Sequence, residues 1–325
     1  MSPKYPNPRK RVGYWKRYER ADIKNYRKVW NATYQLVCEG VVPFEFSRKG
    51  RKPNLEKEEY VCMAVLHVYF DNDFRETEQQ ITLLTSKKLD HTNCVRWFGK
   101  INPKYVDNLV FRVHKKLIGI DDVGDYIVDS TQVTCDRYEV KEVVDKEELH
   151  LQTLKLHILV TYLLNLGLVS IISTFASPGK ANDSPFLRKK LLKKEKIIHG
   201  RTLHADKGYF GKENIKTCKQ KGLKPNIVPK EMEYSDTYLK KYAEKEYDNK
   251  ARKATRGLVE TPFGGLETET GMKIRCRKPH HRNIYICLMA LKHNIRSYLR
   301  ATALKLELNF APTSINRKLF YTLNY

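Results

Sequence analysis

Three carboxylates stand in settings where side chains can do chemistry. Asp206 follows the short apolar run Leu203-His204-Ala205 and precedes the turn Lys207-Gly208-Tyr209. Asp129 follows Tyr126-Ile127-Val128, and Glu260 lies four residues after Arg256 in Arg256-Gly257-Leu258-Val259-Glu260. An Asp at the C-terminal edge of a strand is where open α/β sheets place ligands. Each alone is also an ordinary turn or cap residue, so the reading rests on Asp, Asp and Glu in that order. The chemistry such a set suits is phosphoryl transfer. Attack of water or a 3′-hydroxyl on a phosphodiester needs an activated oxygen and charge relief on the leaving oxygen. Two Mg²⁺ ions about 3.5–4 Å apart supply both. Mg²⁺ takes hard oxygen ligands and needs only one or two carboxylates per ion.

Charge points the same way. The 325 residues hold 61 Lys+Arg against 37 Asp+Glu, a net +24. A protein this basic keeps a polyanion nearby, most simply nucleic acid, because neutralised phosphates release condensed counterions. Hydrophobic content of 41% and aromatic content of 11% fit a globular chain. Seven scattered cysteines form no CxxC pair, which excludes a zinc or disulfide framework and suggests a reducing, cytoplasmic compartment; the expected location is cytoplasmic and nucleoid-associated. Met1 to Arg20 is basic with no apolar core, so it does not read as a secretory leader. Residues 156–176 approach membrane-spanning length, but Asn165-Leu166-Gly167 divides them with turn chemistry. They read as a buried β-hairpin, and no membrane partner is expected.

The elements that must position the carboxylates follow from the pattern. Residues 1–20 read as a basic arm, with Arg9, Lys10 and Arg11 as candidate phosphate contacts and Tyr14, Trp15 and Tyr18 between the charges. Residues 21–118 read as helices. Asn54 is the expected cap of one starting near Leu55; Phe74–Ile81, a segment capped at Asp90, and one opened by Asn102-Pro103 follow. A helical bundle with a basic surface suits a DNA-binding domain. Residues 119–310 read as strand, hairpin, helix, strand, helix, strand, then a long amphipathic helix over 284–306. The helix expected over Phe186–Ile198 carries Arg188, Lys189, Lys190 and Lys193, further candidates for DNA contact. Residues 231–254 are a polar insertion, and 311–325 form a tail without signal. Pro262 suits the first turn of a helix, which would set Glu260 at or before its start. His157 and His204 read as packing groups, His280-His281-Arg282 as a solvated or phosphate-facing loop, and Asp183 as a neighbour of the active face.

The chain resembles the DDE transposases of bacterial and archaeal insertion sequences. The resemblance is carried by Ile127-Val128-Asp129-Ser130-Thr131, Lys155-Leu156-His157, Ala181-Asn182-Asp183-Ser184 and His204-Ala205-Asp206-Lys207-Gly208-Tyr209. Arg256-x-x-x-Glu260 with Phe263, Leu291-Lys292-His293-Asn294-Ile295 and Gly50-Arg51-Lys52-Pro53 add to it. It implies an α/β, ribonuclease H-like mixed sheet flanked by helices, behind an α-helical N-terminal domain. It implies that Asp129, Asp206 and Glu260 bind two Mg²⁺ ions, with Mn²⁺ able to substitute, and that Arg256 orients Glu260 or meets DNA phosphate. The expected substrate is double-stranded DNA, element ends and target, held by a homodimer. One group of the class carries Tyr-x-x-Arg-x-x-x-Glu-x-x-x-x-x-x-Lys; here Lys253 stands at the Tyr position and Glu267 at the Lys position. Glu267 is therefore a rival third carboxylate. A transposase-derived DNA-binding protein without chemistry and a ribonuclease H-fold nuclease remain the competing readings.

Overall fold

The computed structural model describes residues 8–46, 52–135, 142–144, 148–150, 153–193, 200–230, 236–274, 276 and 278–309. The N-terminal part is helical: α1 (Tyr14–Glu19), α2 (Tyr26–Cys38), α3 (Lys57–Tyr69), α4 (Phe74–Thr85), α5 (His91–Phe98) and α6 (Pro103–Ile118). Their starts are set by caps. The Asp73, Asp90 and Asn102 side chains accept from backbone N–H groups of the first turn, satisfying donors a helix leaves open. Asn54 is not the cap of α3. Glu56 is, through a reciprocal capping box with Glu59, while the Asn54 amide donates to the Lys88 carbonyl at 2.6 Å. An acidic side chain two residues later does the work expected of Asn54.

Strands β1 (Val123–Thr134), β4 (Thr153–Leu163), β5 (Leu168–Pro178), β6 (Thr202–Ala205) and β7 (Lys224–Ile227) form one sheet in the order β5-β4-β1-β6-β7. A separate antiparallel pair is made by β2 (Glu142–Val144) and β3 (Glu148–His150). The pairs β1–β4 and β4–β5 are antiparallel, whereas β1–β6 and β6–β7 are parallel. A hairpin-extended first strand with parallel neighbours on its other side, flanked by helices, is the ribonuclease H-like arrangement. Between and after the strands come α7 (Ser184–Lys189), α8 (Lys212–Gln220), α9 (Thr237–Lys245), α10 (Asn249–Thr270) and α11 (Pro279–Asn309). No described helix is long and apolar enough to cross a membrane. The apolar run 156–176 is the β4–β5 hairpin.

That hairpin's turn is held by side chains from afar. Gly167 takes φ +67, which an L side chain resists. Asp121 accepts from Asn165 N at 2.9 Å, Asn165 Nδ2 at 2.7 Å and Leu166 N at 2.8 Å. The N-terminal arm completes the wrap and is not loose from Pro8 onward. Tyr14 Oη donates to the Leu166 carbonyl at 2.9 Å, and Arg9 Nη2 to that of Gly167 at 3.1 Å. The outer edge of β5 is likewise closed. Asn294 of α11 donates to the Ile171 carbonyl at 2.6 Å and accepts from Ile171 N at 2.8 Å. Asp107 of α6 accepts from Thr174 N at 2.8 Å. An edge whose backbone groups are used internally offers no template for further strands.

Apolar packing joins these layers. One core includes Trp30, Met63, Trp97, Leu109, Ile127, Ile171, Leu288 and Leu304, so α2, α3, α5, α6, the sheet and α11 share it. A second, with Tyr126, Val128, Leu203, Tyr209 and Ile215, lies on the opposite face under α7 and α8. Three expectations are corrected. The basic helix over 186–198 ends at Lys189, followed by a 3₁₀ turn at Leu191–Lys193; residues 194–199 lie outside the described residues, as does the tail 311–325. His281 and Arg282 are buried in the first turn of α11, not solvated: the His281 ring meets Phe98 at 5.4 Å, and Arg282 Nε donates to the Cys276 carbonyl at 2.9 Å. Finally, α10 starts at Asn249, so Pro262 lies inside it and Glu260 in mid-helix.

Candidate active site

Asp129 sits in the central strand, between β4, where it faces Ile158, and β6, whose Ala205 pairs with the preceding Val128. Asp206 directly follows β6. Parallel pairing of β1 with β6 therefore brings two aspartates, 77 positions apart in sequence, to one edge of the sheet. Asp129 accepts from Ser130 N at 2.8 Å. Burial pushes its carboxyl up to about 6, against the Ser130 hydrogen bond, and the Asp206 and Asp183 charges push the same way.

Asp183 forms the other side of the site. Its Oδ1 accepts from Lys155 Nζ at 2.9 Å and from Ser130 Oγ at 3.2 Å. The Asp206-Lys207-Gly208-Tyr209 turn presses against it: a Cβ on Gly208 would lie 3.1 Å from Asp183 Oδ2, which is why the turn carries glycine there. Tyr209 is buried beside these carboxylates, and burial raises its phenol well above the ordinary value, so it stays neutral. His157 is buried with Nε2 2.8 Å from Ser177 Oγ and Nδ1 3.8 Å from Asp183; burial lowers it to about 4, so it is neutral too. His204 contacts Asp125 at 3.5 Å and Asn226 at 3.0 Å.

The cation at Asp206 is not Arg256 but Arg252, whose guanidinium Nη2 bonds Asp206 Oδ1. A relay of polar contacts places it. Asn226 of β7 donates to the Asp248 carbonyl at 2.9 Å and accepts from Asp248 N at 2.9 Å. Asp248 in turn caps α10 by accepting from Ala251 N at 3.0 Å, and Arg252 lies in the first turn. Nothing in the polar run Asn249-Lys250-Ala251-Arg252 marks that residue out, because its partner lies 46 positions away.

Glu260 and Arg256 pair with each other, Nε to Oε1 at 3.3 Å, with side chains 64% and 67% exposed. Arg252, Arg256 and Glu260 are spaced at i, i+4, i+8 along one side of α10. A rise of 1.5 Å per residue puts Glu260 about 12 Å along the axis beyond Arg252, and Glu267 about 22 Å. Among the described residues no three His, Cys, Asp or Glu side chains converge closely enough to hold one ion. Asp129 and Asp206 come to one sheet edge, and Glu260 forms no three-residue cluster with them among the described residues. Two hard-oxygen ligands, one of them half-buried and raised to about 6 chiefly by desolvation, fit a single Mg²⁺-type cation that keeps several waters.

The helix carrying Glu260 is weak in its middle. Gly257, Gly264 and Gly265 are helical, and an added Cβ would meet nothing within 4 Å at any of them. Helical glycine costs about 1 kcal/mol relative to alanine and proline about 3. Pro262 also leaves the Leu258 carbonyl without its donor. The ends are firm. Leu266 is buried in the first core, and Glu269 pairs with Lys292 at 2.9 Å and with Arg296.

The basic candidates are dispersed. Lys10 and Arg11 are exposed beside Arg9, whose guanidinium donates to the Gly167 carbonyl. Arg188 donates to Asn214 Oδ1 at 3.2 Å. Lys189 and Lys190 line a cleft of about 530 Å³ with Lys104, Phe111 and Phe175, and Lys190 Nζ lies 5.1 Å from the Phe175 ring centre. Lys193 closes the 3₁₀ turn.

Residues 124–295, more than half of the chain, match the transposase DDE domain family, and the chain belongs to it. No curated protein matches. The cryo-EM structure of a piggyBac transposase synaptic complex with hairpin DNA aligns over 95% of this chain and 84% of its own, at 10% identity and a TM-score of 0.37. That likeness is too loose to build on, and the fold stands on the strand order.

Proposed function

We propose that this protein is an active transposase that cuts DNA at the terminal inverted repeats of an insertion sequence and joins the 3′-ends to target DNA. The observation that carries the reading is the convergence of Asp129 and Asp206 on one sheet edge, in a DDE-domain chain of net charge +24. Divalent ions bound there would activate water or a 3′-hydroxyl and neutralise the leaving oxygen. Asp129 and Asp206 would hold them, with Glu260 as third carboxylate. Ser130 N orients Asp129, and Lys155 with Ser130 Oγ steadies Asp183. Tyr209 and the flanking apolar core close the floor against bulk water. The substrate is double-stranded DNA, steered by the basic surface, and a homodimer would hold two ends together.

The contact of Arg252 with Asp206 and the exposed pairing of Glu260 with Arg256 favour one alternative, a retired transposase that binds DNA without chemistry. Cleavage of DNA bearing the flanking element ends, with Mg²⁺ or EDTA, separates the two. Nicking at the ends that needs Mg²⁺ and falls by about 10³ or more in both Asp129→Asn and Glu260→Gln, with binding kept, supports the active enzyme. Nicking that survives Glu260→Gln moves the third carboxylate to Glu267, and binding without nicking by the wild type favours the retired form.

A further inference from the structure

Helix α10 is pinned at both ends and weak between them, and the one carboxylate that the site lacks lies in the weak part. Its first turn is tied to β7 by Asn226 and Asp248 and to Asp206 by Arg252. Its last turns are tied by Leu266 and by Glu269 with Lys292 and Arg296. Between them, Leu258 and Phe263 pack against the first core and Pro262 is buried, but the three glycines touch nothing that a methyl group would displace, and Pro262 interrupts the hydrogen-bond ladder. No packing demand explains those glycines.

We propose that Arg252 is a latch on Asp206, and that residues 257–265 are a hinge through which Glu260 enters the site once that latch is released by a DNA phosphate. The inference rests on the transposase reading for the role of Glu260. Arg252 is suited to a change of partner. It is buried, spends one nitrogen on Asp206, and its Nε has no hydrogen-bond partner among the described residues. A guanidinium presents a fork that a phosphate fills with two parallel bonds. Moving to a backbone phosphate frees the Asp206 carboxylate for a cation. With both ends of α10 held, the change is taken up where glycines and the interrupted ladder let the backbone bend at least cost, and Glu260 lies there. Its contact there with Arg256 is an exposed pair, which resists little.

The test is amide hydrogen exchange over residues 256–266 of the full chain, free and with element-end DNA plus Mg²⁺, for the wild type and for Gly257→Ala/Gly264→Ala/Gly265→Ala. In the wild type these amides should exchange about tenfold or more faster than those of 266–270, and their protection should change when DNA binds. The alanine variant should be protected in both states, bind duplex ends within about twofold of wild type, and cleave about tenfold or more slowly. Gly257→Ala alone serves if the triple variant does not fold. Wild-type cleavage by a variant whose helix is protected overturns the hinge. Loss of duplex affinity in the variant also overturns it, in favour of glycines that let the DNA backbone approach. In Arg252→Gln the DNA-induced change should already be present without DNA; unchanged protection overturns the latch. The exchange arms read out even if the wild type never cleaves, so failure of the hinge and failure of the transposase reading are distinct results.

Discussion

The two aspartates and the glutamate of this chain are carried by opposite kinds of scaffold. Asp129 lies in a strand paired on both sides, and Asp206 follows the strand that pairs with it in parallel. Their backbones are set by ladders and by two cores. Glu260 rides on a helix with three unpacked glycines and an internal proline. A carboxylate on a strand edge is preorganised whether or not substrate is present. One in the middle of a weak helix can be withheld. The pair of scaffolds teaches that, on the transposase reading proposed above, the two aspartates are set by the sheet while the third carboxylate rides on an element able to move.

Perturbing the rigid side should show how much of that preorganisation comes from polar closure of the sheet edge. Asn294 is fully buried and serves both backbone groups of Ile171 and the Val110 carbonyl at 3.1 Å. Asn294→Leu keeps the volume but leaves buried backbone groups without partners, so the expected loss is about 4 kcal/mol of unfolding free energy. Urea unfolding monitored by circular dichroism checks it. A loss below about 1 kcal/mol would mean the edge is held by apolar packing of α11 alone.

A smaller effect belongs to Asp129, and it depends on pH. Its folded pKa, about 6, lies above the ordinary carboxylate value. Between that ordinary value and about 6 the folded state holds more protons than the unfolded chain, so stability falls as pH rises through this window. Above it the charged carboxylate costs at most about 3 kcal/mol. Asp129→Asn should therefore raise the melting temperature at pH 7.5, and the gain should fade toward pH 4. Mg²⁺ should stabilise the wild type and not the variant, whereas a gain independent of pH would show that the ordering charge lies elsewhere.

Much of the rigid side was legible in the residues, and little of the adjustable side was. Apolar runs ending in Asp129 and Asp206, and Asn165-Leu166-Gly167 splitting a long apolar stretch, report local physics: alternating burial and a glycine with positive φ. The ribonuclease H-like order follows from them. The start of α10 was hidden because Pro262 suits a first turn, whereas the helix starts at Asn249 and runs through Gly257, Pro262, Gly264 and Gly265. Arg252 was hidden because a latch is defined by a partner on another element. His281 and Arg282 looked solvated because their charge was legible and their burial against Phe98 and the Cys276 carbonyl was not. Pro262 suggested a helix start, since sequence alone cannot tell a first turn from an interruption.

The smallest expected effect bears most directly on the adjustable side. Arg256 and Glu260 form an i, i+4 ion pair on an open helix face, both side chains about two-thirds exposed. Such pairs contribute roughly 0.3–0.5 kcal/mol and weaken with salt. Arg256→Ala should therefore change unfolding free energy by less than about 0.5 kcal/mol, measured by urea unfolding at low and at high ionic strength. A larger cost would mean that Glu260 is anchored where it stands, and that the helix holds it by more than an exposed contact. A negligible cost leaves the Glu260 side chain held by no strong contact of its own, on a helix with glycines on both sides of it, which is the condition a movable carboxylate requires.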